Sequence, residues 1–237
     1  MPAKMMGVKW GPGQPRRVAS EDYWRQPLRW NAKAKAEGVR KRVFCASLAD
    51  WLDPEIPLDV TERLLNLIAA TPWLDWMLLT KRPENFERIL EATENKNAAF
   101  WLEGTAPINV WLGVTIESQK HIDRYAKIAQ IPAVCRFISC EPLLSEVDVD
   151  EICDLHRSSR PDLVIVGGES GPNARPCELS WIDSIESATR RWAVKLFVKQ
   201  LGANSTNGGK RIPHKHPKGG DMAEWPPNLR VQEMPEL

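Results

Sequence analysis

Short apolar runs that end abruptly in polar, charged or glycine residues recur along this sequence. Runs of this length, bounded by turn-forming residues, are typical of buried β-strands. Six of them lie at about residues 42–47, 75–80, 110–116, 134–140, 163–167 and 195–200. The pattern predicts a six-stranded sheet whose polar side chains gather at the C-terminal ends of the strands.

Between these runs, apolar residues recur three and four positions apart, which is the spacing of one helix face. This spacing predicts helices over about 58–70, 118–130 and 180–192, and Pro83 suits the first turn of another helix that ends near Leu90. Two weakly patterned stretches predict loops that contain short helices, the second near 149–155: these are residues 91–108 and 142–161.

Strands that alternate with helices over short connections predict right-handed βαβ units and a parallel sheet. Two α/β architectures fit this order: a parallel β/α barrel, partial or TIM-like, and an open doubly wound sheet. The barrel is favoured because every strand, including the outer ones, ends in polar groups. Residues 1–41 are predicted to form a basic, Trp- and Pro-rich arm, irregular up to a short helix at 31–38. The barrel-like domain then spans 42–202, and a basic loop with a flexible tail spans 203–237.

The composition indicates a folded globular protein, since 43% of the 237 residues are hydrophobic and 27% are charged. No apolar run approaches the ~18–20 residues of a membrane span. The first residues lack the apolar core of a signal peptide, so the expected location is the cytoplasm.

The net charge of +1 hides an uneven distribution. Residues 9–42 carry ten lysines and arginines against three acidic residues, whereas 43–198 carry fifteen against twenty-four, and 199–220 are again basic. Basic ends of this kind suit a polyanion or are simply a solvated surface. In the arm, aromatic residues alternate with arginines, a mixture that suits single-stranded nucleic acid or an arm packed on a core. The candidate nucleic-acid residues are Arg16, Arg17, Trp24, Arg25, Arg29 and Trp30.

The five cysteines are odd in number and lack CxxC spacing, so we expect reduced thiols without a disulfide framework or zinc ribbon. His214 and His216 have no third ligand in register, so no metal site is predicted from this sequence. A basic surface loop is the simpler interpretation of the two histidines.

The polar residues at the predicted strand ends form a candidate rim site. Charged groups that face one mouth must form ion pairs, bind a ligand or titrate abnormally. A salt-bridged rim is the alternative to a ligand site, and the size of the set favours the ligand. The set is Ser47, Asp50, Thr80, Lys81, Arg82, Thr115, Glu117, Ser139, Glu141, Glu169, Ser170, Lys199 and Gln200.

The sharpest element of the rim is the turn Gly167, Gly168, Glu169, Ser170 and Gly171. Glycines after a strand permit a tight turn and close approach of the backbone to a ligand. Its N–H groups suit a phosphate or carboxylate, and Glu169 suits an amine or a ribose hydroxyl. The turn is neither a P-loop nor a GxGxxG motif, and a plain strand-to-helix turn is an equal alternative.

Eight sequence segments together resemble a phage-associated family of unknown function. The segments are residues 10–13, 27–31, 44–50, 78–85, 111–117, 137–144, 164–171 and 197–202. The resemblance implies a distant branch of the radical S-adenosylmethionine (SAM) enzymes, which use a β/α barrel and a 4Fe–4S cluster. Members of the family carry a three-cysteine motif upstream of the arm, which none of the five cysteines here reproduces, so we expect a chain whose cluster-binding strand is missing.

Two functions follow from this resemblance and from the charge distribution. The first is a truncated radical-SAM-like enzyme acting on nucleic acid or a nucleotide. In this case residues 167–171 hold the SAM, and the catalytic candidates are Lys81, Glu117, Glu141 and Lys199. The second is a non-catalytic accessory protein that binds nucleic acid or a nearby-encoded partner protein through its basic ends.

Overall fold

A computed structural model describes residue 11, residues 13–45 and residues 49–236. These residues divide into two compact units, and the division falls inside one strand. The first unit comprises the described residues up to Trp111 together with Pro132–Val134. The second comprises Leu112–Ile131 and the described residues from Cys135 onward.

The strands follow one another along the main sheet in chain order. The strands are β1 (Lys41–Cys45), β2 (Leu74–Thr80), β3 (Val110–Thr115), β4 (Cys135–Cys140), β5 (Leu163–Gly167), β6 (Cys177–Glu178), β7 (Lys195–Gln200), β8 (Ser205–Asn207) and β9 (Lys210–Arg211). The six-stranded sheet has the order β1-β2-β3-β4-β5-β7, and a small second sheet has the order β6-β8-β9. The pairs β1/β2, β4/β5 and β5/β7 are parallel. A chain-order sheet without a switch point is the winding of a partial β/α barrel, as predicted, and not that of a doubly wound sheet.

Helices alternate with these strands much as the spacing of apolar residues predicts. The helices are α1 (Glu21–Glu37), α2 (Leu58–Ala69), α3 (Phe86–Glu91), α4 (Lys96–Leu102), α5 (Asp123–Ile128), α6 (Val149–Leu155) and α7 (Leu179–Trp192). A 3₁₀ turn, Pro83–Asn85, precedes α3, so Pro83 takes the helix-starting position expected for it. Helix α6 confirms the short helix expected within the long acidic loop.

Helix α1 corrects the prediction of an irregular arm. The Ser20 hydroxyl caps its first turn by accepting a hydrogen bond from the Tyr23 N–H. Gly38 ends the helix in the left-handed conformation, with φ of 66°, at the predicted stop. Pro27 lies inside the helix, where it removes one backbone hydrogen bond, but it is buried together with Ala34 on the packed face. Burial of that face stabilises a helix that the proline alone argues against.

An aromatic cluster fills the core of the first unit. Trp51 and Trp101 stack with ring centroids 5.9 Å apart, and Phe86 meets Trp101 edge-on at 5.0 Å. The Trp101 indole N–H donates to the Pro132 carbonyl at 2.7 Å, so its polar atom is satisfied although the side chain is fully buried. The cluster fixes α3 and also α4, which lies in the weakly patterned stretch 91–108.

The C-terminal residues pack against the second unit, so the prediction of a flexible tail is wrong for 221–236. Trp225 is 1% exposed, and its indole N–H donates to the Gly219 carbonyl at 2.9 Å. The Val198 N–H donates to the Val231 carbonyl at 2.9 Å, so the tail pairs with β7. Among the described residues, no helix has the length and apolar character needed to cross a membrane.

Candidate functional site

The predicted rim residues are shared between the two units. Asp50, Thr80, Lys81 and Arg82 belong to the first unit, and Ser47 lies outside the described residues. The second unit contains the others: Thr115, Glu117, Ser139, Glu141, Lys199, Gln200 and residues 167–171. Of the four catalytic candidates, Lys81 therefore belongs to the first unit and the other three belong to the second.

In the first unit, Asp50 organises the chain around the end of β2. One of its carboxylate oxygens accepts hydrogen bonds from the Thr80 hydroxyl at 2.6 Å and the Leu52 N–H at 3.1 Å. The other accepts from the Lys81 N–H at 2.9 Å and lies 3.5 Å from the Arg82 guanidinium. These contacts give Asp50, Thr80 and Arg82 a structural role in shaping the loop.

The arginines predicted to contact nucleic acid differ in their surroundings. Arg16 is held by Asp53 at 2.9 Å and by Glu55 at 3.2 Å, so it ties the N-terminal segment to the first unit. Arg29 lies 2.8 Å from Asp22 on the exposed side of α1. Arg17 and Arg25 are exposed.

The two tryptophans predicted to contact nucleic acid also differ. Trp24 is half-buried beneath the Arg63 guanidinium, 4.6 Å from the ring centroid. Trp30, by contrast, keeps 42% of its surface exposed. Trp30 is therefore the more accessible stacking surface of the two.

In the second unit, each of the three rim glutamates forms an ion pair. Glu141 pairs with Lys199 at 2.8 Å, so the fold brings these two predicted site residues together. Glu117 pairs with Arg124 at 2.7 Å. Glu169 accepts two hydrogen bonds at 2.9 Å from the Arg175 guanidinium and a third at 2.8 Å from its backbone N–H. Hydrogen bonding by Arg175 holds the pKa of Glu169 below its ordinary value, so this carboxylate is ionised at neutral pH.

Sequence reasoning missed Arg124 and Arg175, the partners of two of these glutamates. Arg124 follows the 3₁₀ turn Gln119–His121 and also donates to the Thr115 carbonyl at 2.8 Å. Arg175 lies in the loop between β5 and β6. Arg124 lies seven positions after Glu117, and Arg175 lies six positions after Glu169. This closeness along the chain is the one signal of the two pairs in the sequence.

The space beside the glycine turn is filled largely by another segment of the same chain, residues 200–203. A Cβ on Gly168 would lie 2.2 Å from the Leu201 carbonyl oxygen and 2.8 Å from the Gly202 Cα. Gln200 donates from its side chain to the Gly168 carbonyl at 2.9 Å, and the Glu169 carbonyl accepts from the Ala203 N–H at 2.8 Å. The close backbone approach predicted for these glycines is therefore made by residues 200–203. Ser170 and Gly171 remain exposed at the end of the turn.

The other buried polar residues of the rim, Thr115 and Ser139, lie at the ends of β3 and β4. Both are at most 3% exposed, and the Ser139 carbonyl accepts from the Ile116 N–H at 3.0 Å. They contribute to the sheet beneath the rim.

A polar cavity of about 460 Å³ opens beside these ion pairs within the second unit. Its lining comes from the loops that follow three successive strands: Glu117, Ser118, Lys120 and His121 after β3, Leu144 after β4, and Arg175 after β5. The C-terminal ends of parallel strands are the usual place for a ligand in α/β folds. The rim location was predicted from the sequence, whereas Ser118, Lys120 and His121 were not.

Three lining groups are suited to an incoming ligand. Within the part of the chain that the structure describes, the Ser118 hydroxyl oxygen is shielded from solvent without a hydrogen-bond partner. A buried hydroxyl without a partner costs free energy that a bound polar group would recover. Desolvation, followed by repulsion from Arg124, lowers the pKa of His121, so the imidazole is neutral at pH 7 and gains charge on acidification. Lys120 is exposed at the cavity wall and supplies a positive charge.

The cysteines do not form a metal site in the described residues. All five are free, and the described part of the chain contains no group of three His, Cys, Asp or Glu side chains arranged to hold a metal ion. Desolvation raises the pKa of Cys140 and Cys177 to about 12 and that of Cys153 to about 11, so these thiols stay protonated.

We expect the native protein to react very slowly with a thiol reagent such as DTNB at pH 8, because four of its five cysteines are buried. Cys45, which is half-buried, should account for any early reaction, and Cys45→Ser should abolish it. That reaction should also be slow, because desolvation raises the pKa of the Cys45 thiol to about 12. All five thiols should react at once in denaturant. Rapid reaction of two or more thiols in the native protein would contradict the burial described above.

Comparison with known proteins gives one family. The sequence model of the family described as "Protein of unknown function (DUF5131)" matches residues 2–226. No curated protein and no solved structure matches the chain.

Proposed function

We propose that this chain, which belongs to the DUF5131 family, is a cytoplasmic enzyme of the phage-associated, radical-SAM-like β/α type that acts on nucleic acid or a nucleotide. In this proposal the cavity of the second unit receives the phosphate-bearing part of the substrate. The observation that carries it is the cavity at the ends of β3, β4 and β5, whose lining combines Lys120, His121 and Arg175 with Glu117, Leu144 and the unsatisfied Ser118 hydroxyl.

The charges around the cavity favour an anion, because Lys120 and Arg175 line it with one carboxylate, Glu117, which is paired with Arg124. Lys120 supplies a positive charge, and Arg175 keeps guanidinium surface exposed although it is paired with Glu169. The Ser118 hydroxyl and the neutral His121 add hydrogen-bonding groups that a phosphate ester or ribose can use. Hydrogen bonds from charged donors to phosphate are stronger than neutral ones, so Lys120 and Arg175 are expected to carry most of the binding.

The radical SAM cofactors fit this chain only in part. A 4Fe–4S cluster needs several thiolates at one place, and the described cysteines are dispersed and mostly buried. The glycine turn proposed to hold the SAM is closed at Gly168 by residues 201 and 202, which leaves its exposed end at Ser170 and Gly171. We therefore assign no chemical step to either cofactor and confine the proposal to substrate binding.

A second candidate is a non-catalytic protein that binds nucleic acid or a partner protein. It is favoured by the three rim glutamates, because each is already held by a basic partner. A paired and ionised carboxylate such as Glu169 is a poor general base until its partner moves away. The two candidates differ in where the ligand is bound, at the cavity or at the basic ends of the chain, and in whether a bound nucleotide is converted.

Equilibrium dialysis with labelled AMP, ATP and SAM tests whether the cavity binds a nucleotide. We expect a nucleotide to bind, and Lys120→Ala to weaken its binding roughly tenfold or more through loss of one charge-assisted hydrogen bond. Arg175→Ala should weaken it as well. Binding should strengthen on acidification as His121 becomes protonated, at a pH below the ordinary histidine range because its pKa is lowered.

Lys127→Ala is the matched control, because Lys127 is exposed on α5 and does not line the cavity. Equal binding by the Lys120 and Lys127 variants, or no binding of any of the three compounds, would contradict the proposal. Analysis of the dialysed nucleotide by mass spectrometry then separates an enzyme, which alters it, from a binding protein, which does not.

A further inference from the structure

A second cavity lies entirely within the first unit, between α1 and β1. It has a volume of about 480 Å³. Its lining is basic and aromatic, and the residues that matter are Trp30, Lys33, Glu37, Lys41, Arg42 and Phe44. We call this feature the α1–β1 groove.

The groove exposes two aromatic rings. Trp30 on α1 is 42% exposed and Phe44 on β1 is 43% exposed. Large aromatic side chains are usually much better buried, because each covers considerable apolar surface. Tyr23 lies two helical turns before Trp30, on the same side of α1, and is 60% exposed. The groove thus offers flat apolar surfaces beside solvent.

Cations surround these rings. Lys33, Lys41 and Arg42 line the groove together with a single acidic residue, Glu37. Glu37 lies 3.0 Å from Lys41 and 3.8 Å from Lys33, so one carboxylate is shared by two lysines and the lining keeps a positive balance. Ion pairs this exposed contribute little to stability and are readily exchanged for other partners. The Arg42 guanidinium is engaged elsewhere, since it lies 5.3 Å from the ring centroid of the buried Trp111. Arg42 and Phe44 alternate with Lys41 along β1, so their side chains lie on the opposite face of the strand.

We propose that the α1–β1 groove binds single-stranded nucleic acid. Unpaired bases stack on Trp30, and the backbone phosphates lie against Lys33 and Lys41, which flank this ring on α1 and β1. Exposed aromatic rings between cations are the combination that holds unpaired strands, since every base has a flat face and every nucleotide a negative charge. A duplex keeps its bases stacked on each other, so it gains only the phosphate contacts.

This inference goes beyond the proposed function, since it assigns a separate surface in the other unit. It holds for an enzyme and for an accessory protein alike. Of the six arm residues expected from the sequence it uses Trp30, and it adds Lys33 and Lys41, which were not expected.

Fluorescence anisotropy with a labelled single strand of about ten nucleotides, DNA or RNA, tests the groove. The double variant Lys33→Glu/Lys41→Glu should weaken binding at least tenfold. It should also flatten the salt dependence by roughly 0.7 in log–log slope for each phosphate that is no longer neutralised. Lys96→Glu/Lys127→Glu is the control: it makes the same charge change at two exposed positions outside the groove, and its affinity should fall far less.

Trp30→Ala should weaken binding about fivefold or more through loss of one stacked base, and Trp30→Phe should restore part of it. Thermal melts of all variants confirm that each is folded. The proposal is overturned by equal losses in the two double variants, by equal affinity for duplex and single strand, or by tighter binding of polyglutamate than of the single strand, which would indicate an acidic protein partner. Because no variant touches the rim cavity, nucleotide dialysis and strand binding fail independently.

Discussion

Alanine at Gly168 is expected to lower the free energy of unfolding by about 3 kcal/mol, because the added methyl group meets backbone and not a flexible side chain. The Cβ would lie 2.2 Å from the Leu201 carbonyl oxygen and 2.8 Å from the Gly202 Cα. The clash is reciprocal, since a Cβ on Gly202 would lie 2.8 Å from the Gly168 Cα. To accept the methyl group, the ends of β5 and β7 must move apart.

The cost extends beyond the two strands because the same backbone holds the following loop. The Leu201 N–H donates to the Gly219 carbonyl at 2.9 Å, and the Gly202 N–H donates to the Lys218 carbonyl at 3.0 Å. Displacement of residues 201 and 202 therefore strains the attachment of residues 218 and 219. Urea unfolding followed by circular dichroism measures the loss, and hydrogen exchange should place it in the second unit.

Gly171→Ala is the matched control for Gly168→Ala. A Cβ at Gly171 meets nothing within 4 Å, and the cost should be about 1 kcal/mol from its positive φ of 108° alone. Similar costs for the two alanines would contradict the packing argument. If Gly168→Ala left stability intact but abolished nucleotide binding, the turn would be a ligand cradle, as the sequence alone suggested.

The course of the main sheet could be predicted from the sequence because apolar runs with polar ends leave few alternatives. The run at 163–167 is buried on both sides, as a central parallel strand must be, and so it lacks the alternation of a half-exposed strand. The rim location follows from this, since parallel strands all end at one edge. Which rim residues meet could not be predicted, because the partners of Glu117 and Glu169 come from loop positions without periodicity.

Helix α1 and the glycine turn show two further limits. At Pro27 a local rule that argues against a helix is overridden by burial of the face that carries Ala34, which appears only in the folded chain. At Gly168 the sequence indicated close approach of another group but not its identity. A bound ligand and a neighbouring backbone segment both require glycine at such a position. Here the backbone of residues 201 and 202 fills the space beside Gly168.

Trp101→Ala should have the largest effect in the first unit, a loss of about 3–5 kcal/mol in the free energy of unfolding. The side chain is fully buried, and it lies in the short apolar run at 98–102 inside an otherwise polar stretch. Its removal leaves a cavity between Trp51, stacked at 5.9 Å, and Phe86, edge-on at 5.0 Å. It also leaves the Pro132 carbonyl without the donor that lies 2.7 Å away.

Trp101→Phe separates these contributions. Phenylalanine keeps an aromatic ring against Trp51 and Phe86 but lacks the indole N–H, so it should recover a large part of the loss without restoring the hydrogen bond to Pro132. Urea unfolding gives the free energies, and faster hydrogen exchange should appear in peptides of α3 and α4. A loss below about 1.5 kcal/mol for Trp101→Ala would mean that the site collapses around the smaller side chain, and the aromatic cluster would then not be what fixes these two helices.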